Sequence, residues 1–172
     1  MKLTKPIFLL FFTLLITSAT QAQDYFFKDK APFNKTIPTP EEFLGYPIGE
    51  QHTRHDQIVA YFYKLAEVSD RATIEVYGKT HENRKLVMLT ISTKENLSNL
   101  ASLKEKHLQF VNPSLSPKNY DEVPIFIQLG YNVHGNEPSS SEAALLTAYT
   151  LVASNNAEVT NYLNKSVIFI DP

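Results

Sequence analysis

The chain reads as an α/β fold with parallel strands beside a hairpin, and three observations predict it. Residues 124–130, "PIFIQLG", and Ser166–Ile170 are short and almost wholly apolar, as in strands covered on both faces. Ala143–Ala153 lies between them and is apolar nearly all round, which suits a helix buried against a sheet. "ATIEVYGKT" (72–80) and "RKLVMLTIS" (84–92) are strand-like runs joined by His81-Glu82-Asn83, and Asn83 suits a left-handed turn position, so a β-hairpin is expected. Strand, helix and strand at these lengths form a crossover unit, which makes the flanking strands parallel.

From the amino end, residues 1–22 read as a secretory signal peptide. Lys2 and Lys5 supply a positive start, Ile7–Ile16 is an apolar run broken only by Thr13, and Thr20-Gln21-Ala22 offers small residues for cleavage after Ala22. The run is too short for a transmembrane helix with stop-transfer flanks, and an uncleaved anchor is the alternative. The expected location is secreted or periplasmic, with no transmembrane segment in the mature chain. Removing the segment takes the net charge from −2 to −4. A mildly acidic domain without a basic cluster argues against nucleic acid as a partner. There is no cysteine, so the fold rests on its core and no thiol can act as nucleophile or metal ligand. Sequons at Asn34, Asn96 and Asn164 matter only in a cell that glycosylates.

Residues 23–53 are rich in Pro, Lys, Phe and Gly without a period, and read as an extended arm. The domain proper is expected over 54–172. Thr53-Arg54-His55-Asp56 resembles a capping box with Thr53 as N-cap, opening a helix over 54–68 with Ile58, Tyr61, Phe62 and Leu65 on one face. Residues 95–108 read as one polar amphipathic helix, and 112–124 as a Pro-punctuated loop. Pro138 fits the first position of the buried helix, and Glu158–Asn164 forms a short helix before the last strand.

The chemistry concentrates in "LGYNVHGNEPSSSE", residues 129–142. His134 and Glu137 stand at the carboxyl end of a buried strand, where α/β folds place their sites. An imidazole nitrogen and a carboxylate oxygen are good partial ligands for Zn²⁺. Gly135 would let the backbone bend so that both side chains face one point. On spacing alone, the pair reads more readily as a surface histidine and a first-turn glutamate favoured by the helix dipole. Glu142 reads as another first-turn charge, with a general-base role as the alternative. His52 and His55 flank the capping box and read as structural, His81 sits in the hairpin turn, and His107 lies near a helix carboxyl end. Tyr131 and Asn132 suit a pocket wall or the core.

Residues 124–152, "PIFIQLGYNVHGNEPSSSEAALLTAYTLV", resemble the zinc-binding segment of the zinc carboxypeptidase family, the carboxypeptidase A-like metallopeptidases. Upstream, "YGKTHENRKLVMLTIS" is similar to that family's Gly-Lys-Ser/Thr and Glu-Gly-Arg hairpin, with Asn83 where Gly is usual. Downstream, "EVTNYLNKSVIFIDP" is similar to the helix and strand before its Asn-Pro-Asp-Gly motif. Residues 37–71 look like the start of large secreted bacterial members. The resemblance implies a three-layer α/β/α fold with a mixed, partly parallel sheet, incomplete at the carboxyl end. It implies that His134 and Glu137 are metal ligands for one Zn²⁺. Many members carry Arg between the two ligands where this chain has Asn136, which removes any contact made by that Arg.

The family's second histidine, substrate-gripping arginine, pocket tyrosine and general-base glutamate match nothing up to residue 172. The chain is therefore expected to be the amino-terminal portion of a longer enzyme and inactive by itself. The implied activity is zinc-dependent release of carboxyl-terminal residues from a peptide or protein substrate with a free C-terminus. Two alternatives stand beside it. "HGNEP" also resembles the aspartoacylase and succinylglutamate desuccinylase group of zinc amidohydrolases, and a carboxypeptidase-like domain can bind peptides without turnover.

Overall fold

A computed structural model describes the backbone of residues 22–115, 120–121 and 123–172, with side chains from Tyr25 onward. Residues 1–21 of the signal-like segment 1–22 lie outside the described residues. Among the described residues eleven elements follow one another: α1 (Ala22–Phe27), α2 (Pro40–Leu44), α3 (His55–Val68), β1 (Ala72–Lys79), β2 (Lys85–Ile91), α4 (Lys94–Ser98), α5 (Leu100–Val111), β3 (Ile125–Gly130), α6 (Pro138–Ala153), α7 (Ala157–Lys165) and β4 (Ser166–Asp171).

The sheet has four strands in the order β1-β2-β4-β3. β1 and β2 form the expected hairpin, with a register shift between Val76 and Gly78. Asn83 takes φ 62° in its turn, the left-handed conformation that asparagine tolerates better than branched residues. β3 and β4 pair in parallel from Ile125↔Ser166 to Gly130↔Asp171, with α6 and α7 in the crossover. β4 pairs antiparallel with β2, so the sheet is mixed as the sequence implied.

One face of the sheet carries the main core. Ile58, Tyr61, Phe62 and Leu65 of α3 are wholly buried there, the four residues its periodicity selects. They pack with Leu89 and Ile91 of β2, Ile168 and Ile170 of β4, and Ala144, Leu145, Ala148 and Val152 of α6. On the opposite face α5 meets the sheet at β3. Its His107 ring stacks on Phe126 with centroids 4.7 Å apart, and Phe126 meets Phe169 edge-on at 5.8 Å. His107 thus packs its ring flat against the sheet. Helices on both faces make the three layers.

Four expectations change. The arm is not extended throughout. It holds α1 and α2, and Thr39 caps α2 by accepting from Glu42 N–H while Glu42 accepts from Thr39 N–H. The arm is also part of the packed unit, because Ile37 is buried and Phe33 stacks on Tyr149 at 5.2 Å. The helix expected over 95–108 breaks at Asn99, whose side chain amide donates to Glu95 O and closes α4 before α5 begins. The N-cap of α3 is Arg54, one residue later than expected, and its N–H donates to Gln57 Oε1. Finally, β3 is not covered on both faces: none of its residues is fully buried, and Ile125 is exposed on this edge strand.

Candidate metal centre

The turn between β3 and α6 is held from both sides. Tyr131 N–H extends the parallel ladder by donating to Asp171 O at 2.8 Å, and Tyr131 Oη donates to Thr147 Oγ1 at 2.9 Å. Asn132 then turns the chain with φ 51°, and its N–H donates to Ser140 Oγ at 2.6 Å. The left-handed residue of this turn is therefore Asn132. Gly135 has no positive φ, and a Cβ added there would meet nothing, so the expected hinge role of Gly135 is not required.

His134 and Glu137 follow, tied by Glu137 N–H donating to His134 O at 2.9 Å. Glu137 is also the N-cap position of α6, with Pro138 in the first turn as expected. Both side chains are exposed at the carboxyl end of β3, and Val133 beside them is 81% exposed. Neither side chain has a hydrogen-bond or ion-pair partner among the described residues. His52 and His55 lie at the start of α3, where His52 is exposed and His55 half-buried, and His81 is exposed in the hairpin turn. Among the described residues no cluster of three or more His, Cys, Asp or Glu is arranged to hold a metal ion.

The same end of the sheet carries Asp171 at the close of β4. Tyr77 of β1 donates its hydroxyl hydrogen to Asp171 Oδ2 at 2.9 Å. Burial, then the hydrogen bond and the charge of Asp171, push the Tyr77 hydroxyl above its ordinary value.

Glu142 differs most from its sequence reading. It is not a solvated first-turn charge but is buried in α6 against the segment that precedes α3. Its Oε1 accepts from Thr53 N–H at 3.1 Å and from Thr53 Oγ1 at 2.6 Å. Thr53 Oγ1 in turn accepts from Tyr46 Oη at 3.1 Å. This use of the Thr53 hydroxyl explains why Thr53 does not cap α3. The partners are 89 residues apart, so no local pattern in the sequence announces the contact.

The donor chemistry of His134 and Glu137 fits Zn²⁺ as two of the four ligands such an ion takes. The two side chains are free for ligation, and the turn behind them is fixed by Asn132, Ser140, Tyr131 and Thr147.

A parallel crossover with a histidine and a glutamate at its strand-to-helix turn defines the scaffold of a zinc-peptidase-like α/β domain. The zinc carboxypeptidase family profile matches residues 58–172, and the chain belongs to that family. Its fold is similar to the crystal structure of the carboxypeptidase A from Helicoverpa armigera, with a TM-score of 0.53 and 18% identity. That similarity covers 91% of this chain and 31% of the other, so this chain spans about a third of the length of that structure. No curated protein matches the chain. No helix among the described residues is long and apolar enough to cross a membrane.

Proposed function

We propose that this chain carries the His134–Glu137 half of a zinc centre whose reaction is the release of carboxyl-terminal residues from peptides. The observation that supports the reading is the pair of unpartnered donors on a braced turn at the carboxyl end of β3, within a chain of the zinc carboxypeptidase family. His134 and Glu137 would hold the ion, and the chemistry it supplies when bound is polarisation of a carbonyl and activation of water. The protein's own contribution is to present an imidazole and a carboxylate from one short turn, with the backbone behind them held by Ser140 and Asp171.

Among the described residues no group of three donors is arranged to hold a metal ion, and a catalytic zinc takes three. This chain is therefore expected to bind Zn²⁺ weakly and, by itself, to cleave nothing. Peptides with a free C-terminus are the proposed substrates, and export through the segment 1–22 is the proposed route to them. Calorimetric titration with ZnCl₂ tests the centre. His134→Ala and Glu137→Ala should each abolish the weak binding, whereas His52→Ala should leave it unchanged. Wild-type binding in His134→Ala would remove the assignment.

A further inference from the structure

Glu142 lies on α6 five residues after Glu137 and is only 8% exposed. Its two oxygens have different surroundings. Oε1 receives both hydrogen bonds from Thr53, while Oε2 is buried without a partner. No lysine, arginine or histidine pairs with this carboxylate among the described residues. A tether to Thr53 needs a single acceptor oxygen, which a glutamine would supply equally well. A buried carboxylate without a cation is costly, and such groups are normally paired. The amino end of α6 offsets part of that cost, since its free N–H groups carry partial positive charge, but this effect fades beyond the first turn.

We propose that Glu142 is the buried counter-charge of a metal ion held by His134 and Glu137. The inference rests on the zinc-centre reading given above. Five residues span about 7.5 Å of helix rise, and the Glu142 carboxylate is buried and tied to Thr53 through Oε1, so it acts on the ion through its field and not as a ligand. Glu142 is buried while His134 and Glu137 are exposed, so the field passes partly through packed protein, where charges are less screened than in water, and partly through solvent. Glu142 is then a positioning residue. It steadies the amino end of α6 through Thr53 and lowers the local potential for a divalent cation. Its unpaired oxygen is a cost to the metal-free fold that the arriving cation relieves.

The two roles make opposite predictions for Glu142→Gln. The amide keeps an oxygen for Thr53 and removes the charge. Zinc titration by calorimetry should show affinity lowered roughly fivefold to tenfold, the size expected of one partly screened charge at this range. Thermal unfolding of the metal-free protein should be unchanged or shifted upward, because a buried charge has gone. Thr53→Val should do the reverse, lowering the unfolding temperature while leaving zinc affinity within about twofold. Unchanged zinc affinity in Glu142→Gln would overturn the proposal. If Glu142→Gln does not fold, Glu142→Met carries the same expectation for zinc affinity, though not for stability because it gives Thr53 no acceptor, and failure of both to fold would mark Glu142 as purely structural and overturn it as well. Loss of zinc in His134→Ala with wild-type affinity in Glu142→Gln defeats this inference alone. Wild-type affinity in His134→Ala defeats the zinc centre beneath it.

Discussion

Tyr131 and Thr147 are joined by a 2.9 Å hydrogen bond that spans the whole ligand turn, from the residue after β3 to the third turn of α6. His134 and Glu137 lie between its two ends. Tyr131→Phe removes the hydroxyl and leaves the ring in place. The loss should be about 1 kcal/mol of stability, the usual net value of a neutral hydrogen bond, read as a lowered urea midpoint at unchanged slope. A change below a few tenths of a kcal/mol would show that the bond does not hold the turn.

The hairpin turn gives a second test. Asn83 sits at φ 62°, with its N–H donating to Thr80 O at 2.9 Å. Asn83→Gly should be close to neutral, because glycine adopts this conformation freely. Asn83→Ala should cost roughly 1 kcal/mol, since a Cβ without a local polar contact is disfavoured there. Equal stability of the two variants in urea unfolding would contradict this account of the turn.

Phe33 anchors the arm. Its ring lies 5.2 Å from Tyr149 and 5.4 Å from Phe27, and its backbone bridges to Ser154. Phe33→Ala should cost about 2 kcal/mol, less than a fully buried phenylalanine because the site is half-open. Limited proteolysis should then cut between residues 28 and 36 faster than in the wild type. An unchanged cutting rate would mean that the arm is held by other contacts.

The last substitution concerns pH. The Tyr162 hydroxyl, followed by the Lys30 ammonium, holds the Glu158 carboxyl below the ordinary carboxylate range. A depressed carboxyl contributes stability that is present above its unfolded value and is lost as pH falls through its folded value. Tyr162→Phe should raise the Glu158 titration midpoint toward that of a free glutamate, as followed by NMR. Because the group is exposed, the accompanying change in stability should be small and should shrink with added salt. A Glu158 midpoint unmoved in Tyr162→Phe would assign the effect to Lys30 alone.

The parts of the fold legible in the sequence are those with a strong period or a strong local signal. The apolar stripe of α3 selects its four buried residues, the crossover around α6 follows from two apolar strands, and Asn83 announces the hairpin turn. His134 and Glu137 stand out in the sequence because they share one short turn. What escaped reading depends on contacts between distant residues or on weak local competition. Glu142 looks like any first-turn glutamate until Thr53, far upstream, is placed against it. The break at Asn99 turns on one side-chain hydrogen bond inside an otherwise helical pattern. The open edge of β3 cannot be read from its composition, because an apolar run looks the same at the centre and at the margin of a sheet.

The order β1-β2-β4-β3 also sets a timetable for assembly. During synthesis the hairpin emerges first and β3 follows, yet these two have no shared ladder. The strand that joins them, residues 166–171, is the last of the four to appear. Until then the nascent chain carries β2 and β3 with unpaired edges and half of an apolar sheet face uncovered, the kind of surface that chaperones hold. The joining step closes loops of high sequence separation and should dominate the folding rate. Deleting residues 166–172 should therefore abolish cooperative unfolding, leaving only a locally structured hairpin. A sharp transition in the shortened chain would show that the two halves find each other without the strand between them.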